Sequence, residues 1–427
     1  MDLSQRSPAA VPSSTHELQK VLTWREGAGF TVAAVLGSGV LILPAVTANL
    51  AGPASLLAWL TMAVMILPLA LVLGRLATQL PHAGGIAEYA RQAFGPTWGR
   101  LTGLLYLGTV PVGAPLGALI GSAYIGRAMG WSNHAVVILS AALLVLAVAL
   151  NLLGVEISGR TAMVVVLSIS VILLAAVATA IPHVRLAAFA PGFPHGWFPV
   201  GESVALLFWA FVGWEMLGHM AEEFVDPRRD VMAAMMVAIA VIDVLYLAVQ
   251  WVTVGTHMYG PGRATDSLAL LVGLGLGRAG QWAVAILAFL ISYGTTHTYL
   301  AGFSRLIFAQ ARSGDLPAWF NHLHQRFRTP VRVLLSLWIP WILVLVWAYV
   351  WGLNLAALIA WPSAVFIVLY ILAMAAALRL LPGLVDKLWA AVGLLVSAGA
   401  MFFLGWDVLY PVGILVLGAL WRRRQLA

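Results

Sequence analysis

Gly37-Ser38-Gly39-Val40-Leu41-Ile42-Leu43-Pro44 stands in the middle of an apolar stretch that runs from about residue 27 to 50. That stretch is long enough to cross a bilayer, which takes roughly 20 apolar residues. A lone spanning helix gains nothing from glycines at mid-depth. Each costs about 1 kcal/mol relative to alanine and leaves backbone groups short of partners in hydrocarbon. Unwound backbone at that depth is found where it lines a cavity. The plain alternative is that Gly37 and Gly39 let two helices approach closely. The polar Ser38, the following Pro44 and a matching interruption later in the chain favour the cavity.

Composition fixes the solvent around this segment. The 427 residues are 62% hydrophobic and 9% charged, and the mean hydropathy is +0.96, which describes a polytopic membrane protein. Apolar spans are expected near 27–50, 54–75, 98–126, 134–153, 161–181 and 200–220. Six more follow near 232–256, 281–308, 333–351, 354–378, 388–404 and 406–421. The last two are short and adjacent, so about twelve spans are expected, with eleven the alternative. Residues 1–26 form a polar tail without the apolar core and cleavage site of a signal peptide.

With the amino terminus placed in the cytoplasm, only Arg127, Arg185, Arg263 and Arg278 of the 23 basic residues fall in outer loops. This distribution obeys the positive-inside rule and predicts two cytoplasmic termini, the second ending in the basic segment 422–427. The net charge of +7 therefore reads as membrane topology and not as a nucleic-acid surface. The chain has no cysteine, which removes thiol and disulfide chemistry.

The sixth span carries a second interruption, Phe211-Val212-Gly213-Trp214, followed by the ionisable Glu215. Spans one to five and six to ten then form two repeats, 27–181 and 200–378, with breaks in corresponding places and accessory helices over 386–421. An odd number of spans per repeat inverts one relative to the other. Paired breaks of this kind mark the binding site of a secondary transporter. The half-helix restarting after Gly39 presents free N–H groups and a positive dipole end, which suits a carboxylate. The first half of span six ends in unsatisfied carbonyls from about Trp209 to Val212, which suit an ammonium group. Together they make a receptor for an α-amino acid.

Four ordered motifs carry a resemblance. GSGVLILP at 37–44, AGGIAEYARQAFG at 83–95, FWAFVGWE at 208–215 and SRLIFAQARSGDLPAWFNHLHQRFRTP at 304–330 are similar to those of the amino acid–polyamine–organocation (APC) transporter superfamily. FVGWEMLGHMAEEFVDPRRD at 211–230 looks most like its bacterial exporters of methionine and branched-chain amino acids. The resemblance implies an all-α integral membrane protein of the APC, or leucine-transporter-like, fold in a bacterial inner membrane. It has ten core helices in two inverted five-helix repeats, with helices 1 and 6 discontinuous, plus two accessory helices. It also implies that Gly37, Ser38 and Gly39 bind the substrate carboxylate, that the carbonyls of Trp209, Ala210 and Phe211 meet the amine beside Gly213, and that Glu215 lies next to the gate. The chain departs from relatives with a proton-sensing lysine in helix five, because its only lysines are Lys20 and Lys387.

Glu215, His219, His297 and Asp243, in that order, are the candidate proton carriers, since ionisable groups inside a membrane are functional by default. Each has a plain alternative as a buried hydrogen-bonding group, evenly balanced for Asp243 and favoured for the two histidines. Thr295 and Thr296 offer hydroxyls for a sodium ion together with carbonyls near Ala33 and Leu36, although bonding back to their own helix is the better reading. The HMAEE run at 219–223 is not a zinc pattern, and no metal or cofactor is expected. Trp209, Trp214 and Trp361 are set apart from interfacial tryptophans because their spans border the pathway. FWAF at 208–211, PVGAP at 111–115 and ISYGTTH at 291–297 hold no clamp for a charged side chain. The expected substrate is methionine, leucine, isoleucine or valine, exported against protons. An uptake symporter fits the same pocket, and a non-transporting sensor is the distant alternative.

Overall fold

The computed structural model describes residues 23–80, 85–154, 159–215, 224–260, 263, 265–312, 314–327 and 329–426. Most of the expected tail and the loop start at 83–84 lie outside them. Helices α1 (Trp24–Val35), α2 (Gly39–Ala51), α3 (Ser55–Gln79), α4 (Gly85–Phe94), α5 (Pro96–Leu107), α6 (Val110–Met129), α7 (Asn133–Leu152), α8 (Gly159–Ala180) and α9 (Phe198–Leu207) make the first part. Then come α10 (Pro227–Gly255), α11 (Ser267–Arg312), α12 (Val331–Ser336), α13 (Trp338–Trp351), α14 (Leu355–Leu380), α15 (Leu384–Phe402) and α16 (Leu409–Leu426).

Among the described residues, eight helical segments are long and apolar enough to cross a membrane. Shorter apolar helices cover Leu167–His183, Phe198–Leu207 and Gly405–Leu420. One of the eight, Gly39–Gln79, doubles back. The indole of Trp59 donates to Thr47 Oγ1 at 3.0 Å, whereas a straight helix would hold those residues about 18 Å apart. The reversal falls at Gly52, which has φ +60°, and Pro53.

Helix boundaries follow local chemistry. Asp226 caps α10 by accepting from Arg229 N–H at 3.4 Å, with Pro227 as its first residue. Asn354 caps α14 by accepting from Ala357 N–H at 3.2 Å. The span expected as one helix over 98–126 is two, α5 and α6, separated at Gly108 and Thr109. Pro111 is the cause: it cannot donate to the carbonyl of Leu107, and its ring crowds that carbonyl. α11 likewise bends at Gly277, which has φ +58°.

Large apolar side chains cover the outside, among them Leu395, Ile339, Leu343, Leu417 and Val244. Such a surface faces hydrocarbon, so hydrophobic transfer does not hold the helices together, and close contact and interhelical hydrogen bonds do. Gln250 of α10 donates to Ser55 Oγ of α3 at 2.7 Å and Trp341 of α13 donates to Val110 O of α6 at 3.2 Å. The hydroxyls of Thr179 and Ser140, bonded back to their own helices at 2.6 and 2.8 Å, also lie 3.0 Å from Leu271 O of α11 and 3.3 Å from Ala118 O of α6. α6 and α11 pair extensively, and α1 lies along α10. The two interrupted segments meet at the centre of this bundle.

Candidate functional site

α1 closes with Leu36 N–H on Val32 O at 2.8 Å and Gly37 N–H on Val35 O at 2.7 Å. The helix resumes as α2, where Leu41 N–H reaches Ser38 O at 3.2 Å. Among the described residues no backbone carbonyl accepts from the amides of Ser38, Gly39 and Val40. These donors head a half-helix that is buried from Gly39 to Ala48, so water does not surround them. Free amides at the positive end of a helix dipole, away from bulk water, are an anion site.

α9 ends at Leu207 and the chain unwinds. Trp209 N–H reaches Leu206 O at 3.1 Å and Ala210 N–H reaches Leu207 O at 2.9 Å, after which helical bonding stops at Phe211. The two breaks touch through bare backbone. Gly213 has φ +124°, and a Cβ there would lie 2.8 Å from Ala34 C and O. No side chain fits that contact. Gly39 is equally constrained, since its Cβ would come within 2.9 Å of Trp209 Cδ1 and 3.3 Å of Ala210 Cα. At Gly37 a Cβ would meet only Val35 O, at 3.9 Å. The two glycines thus have different tasks: Gly39 makes room for Trp209, and Gly37 leaves space.

That space is a cavity of about 70 Å³, several times the roughly 10–15 Å³ that one water needs. Gly37, Ser38 and Gly39 form one wall and Trp209 with Val212 another. The α5–α6 break supplies Thr109, Val110, Gly113 and Ala114. Thr295, Thr296, Tyr299 and Phe303 of α11, with Phe366 of α14, close it. No lining residue carries a formal charge. Trp209 spans the cavity, its Cη2 3.4 Å from where a Cβ on Gly113 would be and its ring 6.4 Å from that of Phe366.

The expected amine site divides. Trp209 is on the cavity, while Ala210, Phe211 and Gly213 are not among its lining residues. Tyr246 of α10 donates to Ala210 O at 3.0 Å and lies 3.2 Å from Val35 O, and the Tyr370 hydroxyl of α14 lies between Phe211 O at 3.4 Å and Glu215 Oε2 at 3.3 Å, one proton shared by two acceptors. Unwound carbonyls in a membrane take whatever donors neighbouring helices provide, and here two tyrosines do so. Glu215 is 5% exposed and sits behind the cavity. Its Oε1 is 3.3 Å from Tyr106 Oη, and its Oε2 is 3.3 Å from Tyr370 Oη and accepts from Gly213 N–H at 3.2 Å. Tyr106 in turn packs on Phe303 and Phe366, with ring centroids 5.6 and 6.0 Å away. One carboxylate thus joins α5, α14 and the second break.

Residues 22–404 match the family described as amino acid permease. The chain belongs to the amino acid permease family. It is a multi-pass membrane transporter of amino acids, not an enzyme. The permease is 38% identical over 403 residues to an uncharacterized amino acid permease of Bacillus subtilis, YecA, covering 94% of this chain and 95% of that one. It is also 30% identical over 412 residues to the L-methionine/branched-chain amino acid exporter YjeH of Escherichia coli, covering 95% and 96%. Both likenesses run nearly end to end, which places this permease in the APC superfamily that its four motifs resemble.

The remaining candidates in the permease lie in different places. His297 is buried, and its Nδ1 is 3.0 Å from Asn151 Nδ2, which also donates to Ala147 O at 2.8 Å and to His297 O at 3.3 Å. It is not among the cavity-lining residues, whereas its neighbours Thr295 and Thr296 are. Asp243 is half-buried on α10, one turn before Tyr246, with a buried Oδ1 that has no hydrogen-bond partner among the described residues. His219 lies outside the described residues. Trp361 is away from the cavity, stacked on Tyr410 at 5.4 Å, and α14 presents Phe366 to the cavity instead. Trp214 is fully buried and is also not a lining residue. Tyr106, Tyr246 and Tyr370 escape sequence reasoning, because a tyrosine in an apolar span looks the same whether or not a bare carbonyl lies opposite. Pro111 was the available signal for the α5–α6 break, while Pro115 lies within α6.

Proposed function

We propose that this permease carries neutral, apolar α-amino acids, namely methionine, leucine, isoleucine and valine, by alternating access, and exports them in exchange for protons. The observation that carries the reading is the set of unpartnered amides at Ser38, Gly39 and Val40 opening on a cavity without charged walls. A substrate carboxylate supplies the missing acceptors, and the cavity offers nothing to pair with a charged side chain. The amine goes to the carbonyl of Trp209, for which the described residues supply no donor, and to the face of its indole. Ala210 and Phe211 shape the break without touching the substrate, their carbonyls being held by tyrosines.

Export and the side-chain preference draw support from the likeness to YjeH, described as an L-methionine/branched-chain amino acid exporter. Proton coupling draws support from Glu215, whose tyrosine contacts reach α5 and α14, the latter carrying the cavity-lining Phe366. His219, His297 and Asp243 follow Glu215 as candidate carriers, in that order. The full reading includes twelve spans, inverted repeats over 27–181 and 200–378, accessory helices over 386–421, and both termini in the cytoplasm of a bacterial inner membrane. Sodium-coupled uptake is the second reading, favoured by the Thr295 and Thr296 hydroxyls on the cavity wall.

Purified protein in proteoliposomes, with proton and sodium gradients set independently and a panel of labelled amino acids, tests the proposal. The expected result is saturable flux of the four named substrates, driven by a proton gradient and indifferent to sodium. Flux of arginine or glutamate without those four refutes the substrate class, and sodium-driven accumulation refutes the coupling.

A further inference from the structure

We propose that Tyr410, on the last helix and outside the cavity, is a positioning residue for the substrate site; this rests on the cavity being that site. Pro111 breaks the helix between α5 and α6, and among the described residues no backbone N–H donates to Gly108 O. A bare carbonyl at membrane depth needs a donor from elsewhere. Tyr410 of α16 supplies it, its hydroxyl donating to Gly108 O at 2.6 Å. The next four residues of the break include Thr109 and Val110, and Gly113 and Ala114 follow; all four line the cavity. Trp341 of α13 fastens the other side of this segment, donating to Val110 O at 3.2 Å.

Tyr410 is itself placed from the substrate side. Its ring stacks on Trp361 of α14 at 5.4 Å, and the Trp361 indole donates to Asp407 Oδ1 at 3.0 Å. α14 carries Phe366 and Tyr370, which reach the cavity and Glu215. The corner at residues 405–410 therefore joins two cavity walls that make no use of α16 in binding. Its removal should change the shape of the site more than the existence of the fold. The hydroxyl can be deleted alone, because Tyr410→Phe keeps the stacked ring.

The chain contains no cysteine, so a single introduced thiol reports one position. In the full-length protein in proteoliposomes, Tyr410→Phe is expected to raise the half-saturation concentration for leucine counterflow about three- to ten-fold while the maximal rate stays within about two-fold. Labelling of Ala114→Cys by a water-soluble thiol reagent should change at least about three-fold in the Tyr410→Phe background. Thiol labelling at Thr295→Cys, on the α11 wall, should not change. Trp406→Phe, a nearby side chain that is 85% exposed, serves as the control and should alter neither readout. If Tyr410→Phe lowers only the melting midpoint, or if labelling shifts equally at both thiols or at neither, the positioning role is wrong. If labelling shifts at Ala114→Cys alone but no amino acid is transported by the parent protein, the positioning stands and the substrate reading falls.

Discussion

Replacing Gly39 by alanine adds one methyl group at the tightest point between the two breaks. The new Cβ would lie 2.9 Å from Trp209 Cδ1, 3.3 Å from Trp209 Nε1 and 3.3 Å from Ala210 Cα. The Ala210 backbone is tied to Tyr246, so the indole has to yield, and it lies on the cavity. Overpacking of this kind costs about 1–3 kcal/mol, and where the indole relieves it by moving into the space a substrate takes, binding has to reverse that move, for roughly a 5- to 150-fold loss of affinity at 1.4 kcal/mol per decade. The loss should be similar for methionine, leucine, isoleucine and valine, because the proposed site sets the carboxylate and amine they share at the displaced groups. Gly37→Ala adds the same methyl where the nearest atom is 3.9 Å away, so it narrows the cavity without moving Trp209 and should penalise longer side chains more than valine. Equilibrium binding of labelled substrates to purified protein, with melting midpoints measured in parallel, checks both. Gly39→Ala binding leucine within two-fold of the parent protein would refute the placement of the carboxylate.

Tyr246→Phe strips the donor shared by Ala210 O and Val35 O and should destabilise the protein by about 1–3 kcal/mol, seen as a lower melting midpoint in detergent. Glu215→Gln keeps groups able to bond Tyr106 and Tyr370 but cannot ionise. Substrate counterflow should persist while proton-driven accumulation is lost, and retained accumulation would remove Glu215 as carrier. Thr296→Val should leave transport independent of sodium and active, and its abolition together with a sodium requirement in the parent would favour the symport reading.

The first break was legible because Gly37, Ser38 and Gly39, followed by Pro44, interrupt an apolar span and a second interruption matches them later in the chain. The second was legible because Glu215 follows it. The unequal roles of Gly37 and Gly39 were not, since they depend on Trp209, which lies far along the chain and meets Gly39 only after folding. The same holds for the tyrosines. Tyr246 and Tyr370 are 36 and 159 residues from the carbonyls of Ala210 and Phe211 that they serve, and no local pattern marks such pairs. Pro111 and Pro115 were visible as part of an apolar pocket segment. That Pro111 splits a span whose Gly108 carbonyl is met by the last helix follows only from knowing that α16 lies against α5. His297 shows the converse: an ionisable residue inside a span that meets Asn151 of α7 and is not among the cavity-lining residues.

Competition for labelled leucine by unlabelled leucine, leucinol, arginine and glutamate tests the central claim most directly. Leucinol keeps the side chain and amine but lacks the carboxylate, and it should bind about 10- to 150-fold more weakly than leucine, the value of roughly 1.5–3 kcal/mol for hydrogen bonds to a charged group. Arginine and glutamate should compete no better than leucinol. Leucinol competing as well as leucine, or either charged amino acid outcompeting it, would contradict a site built from the free amides of Ser38, Gly39 and Val40 in an uncharged cavity.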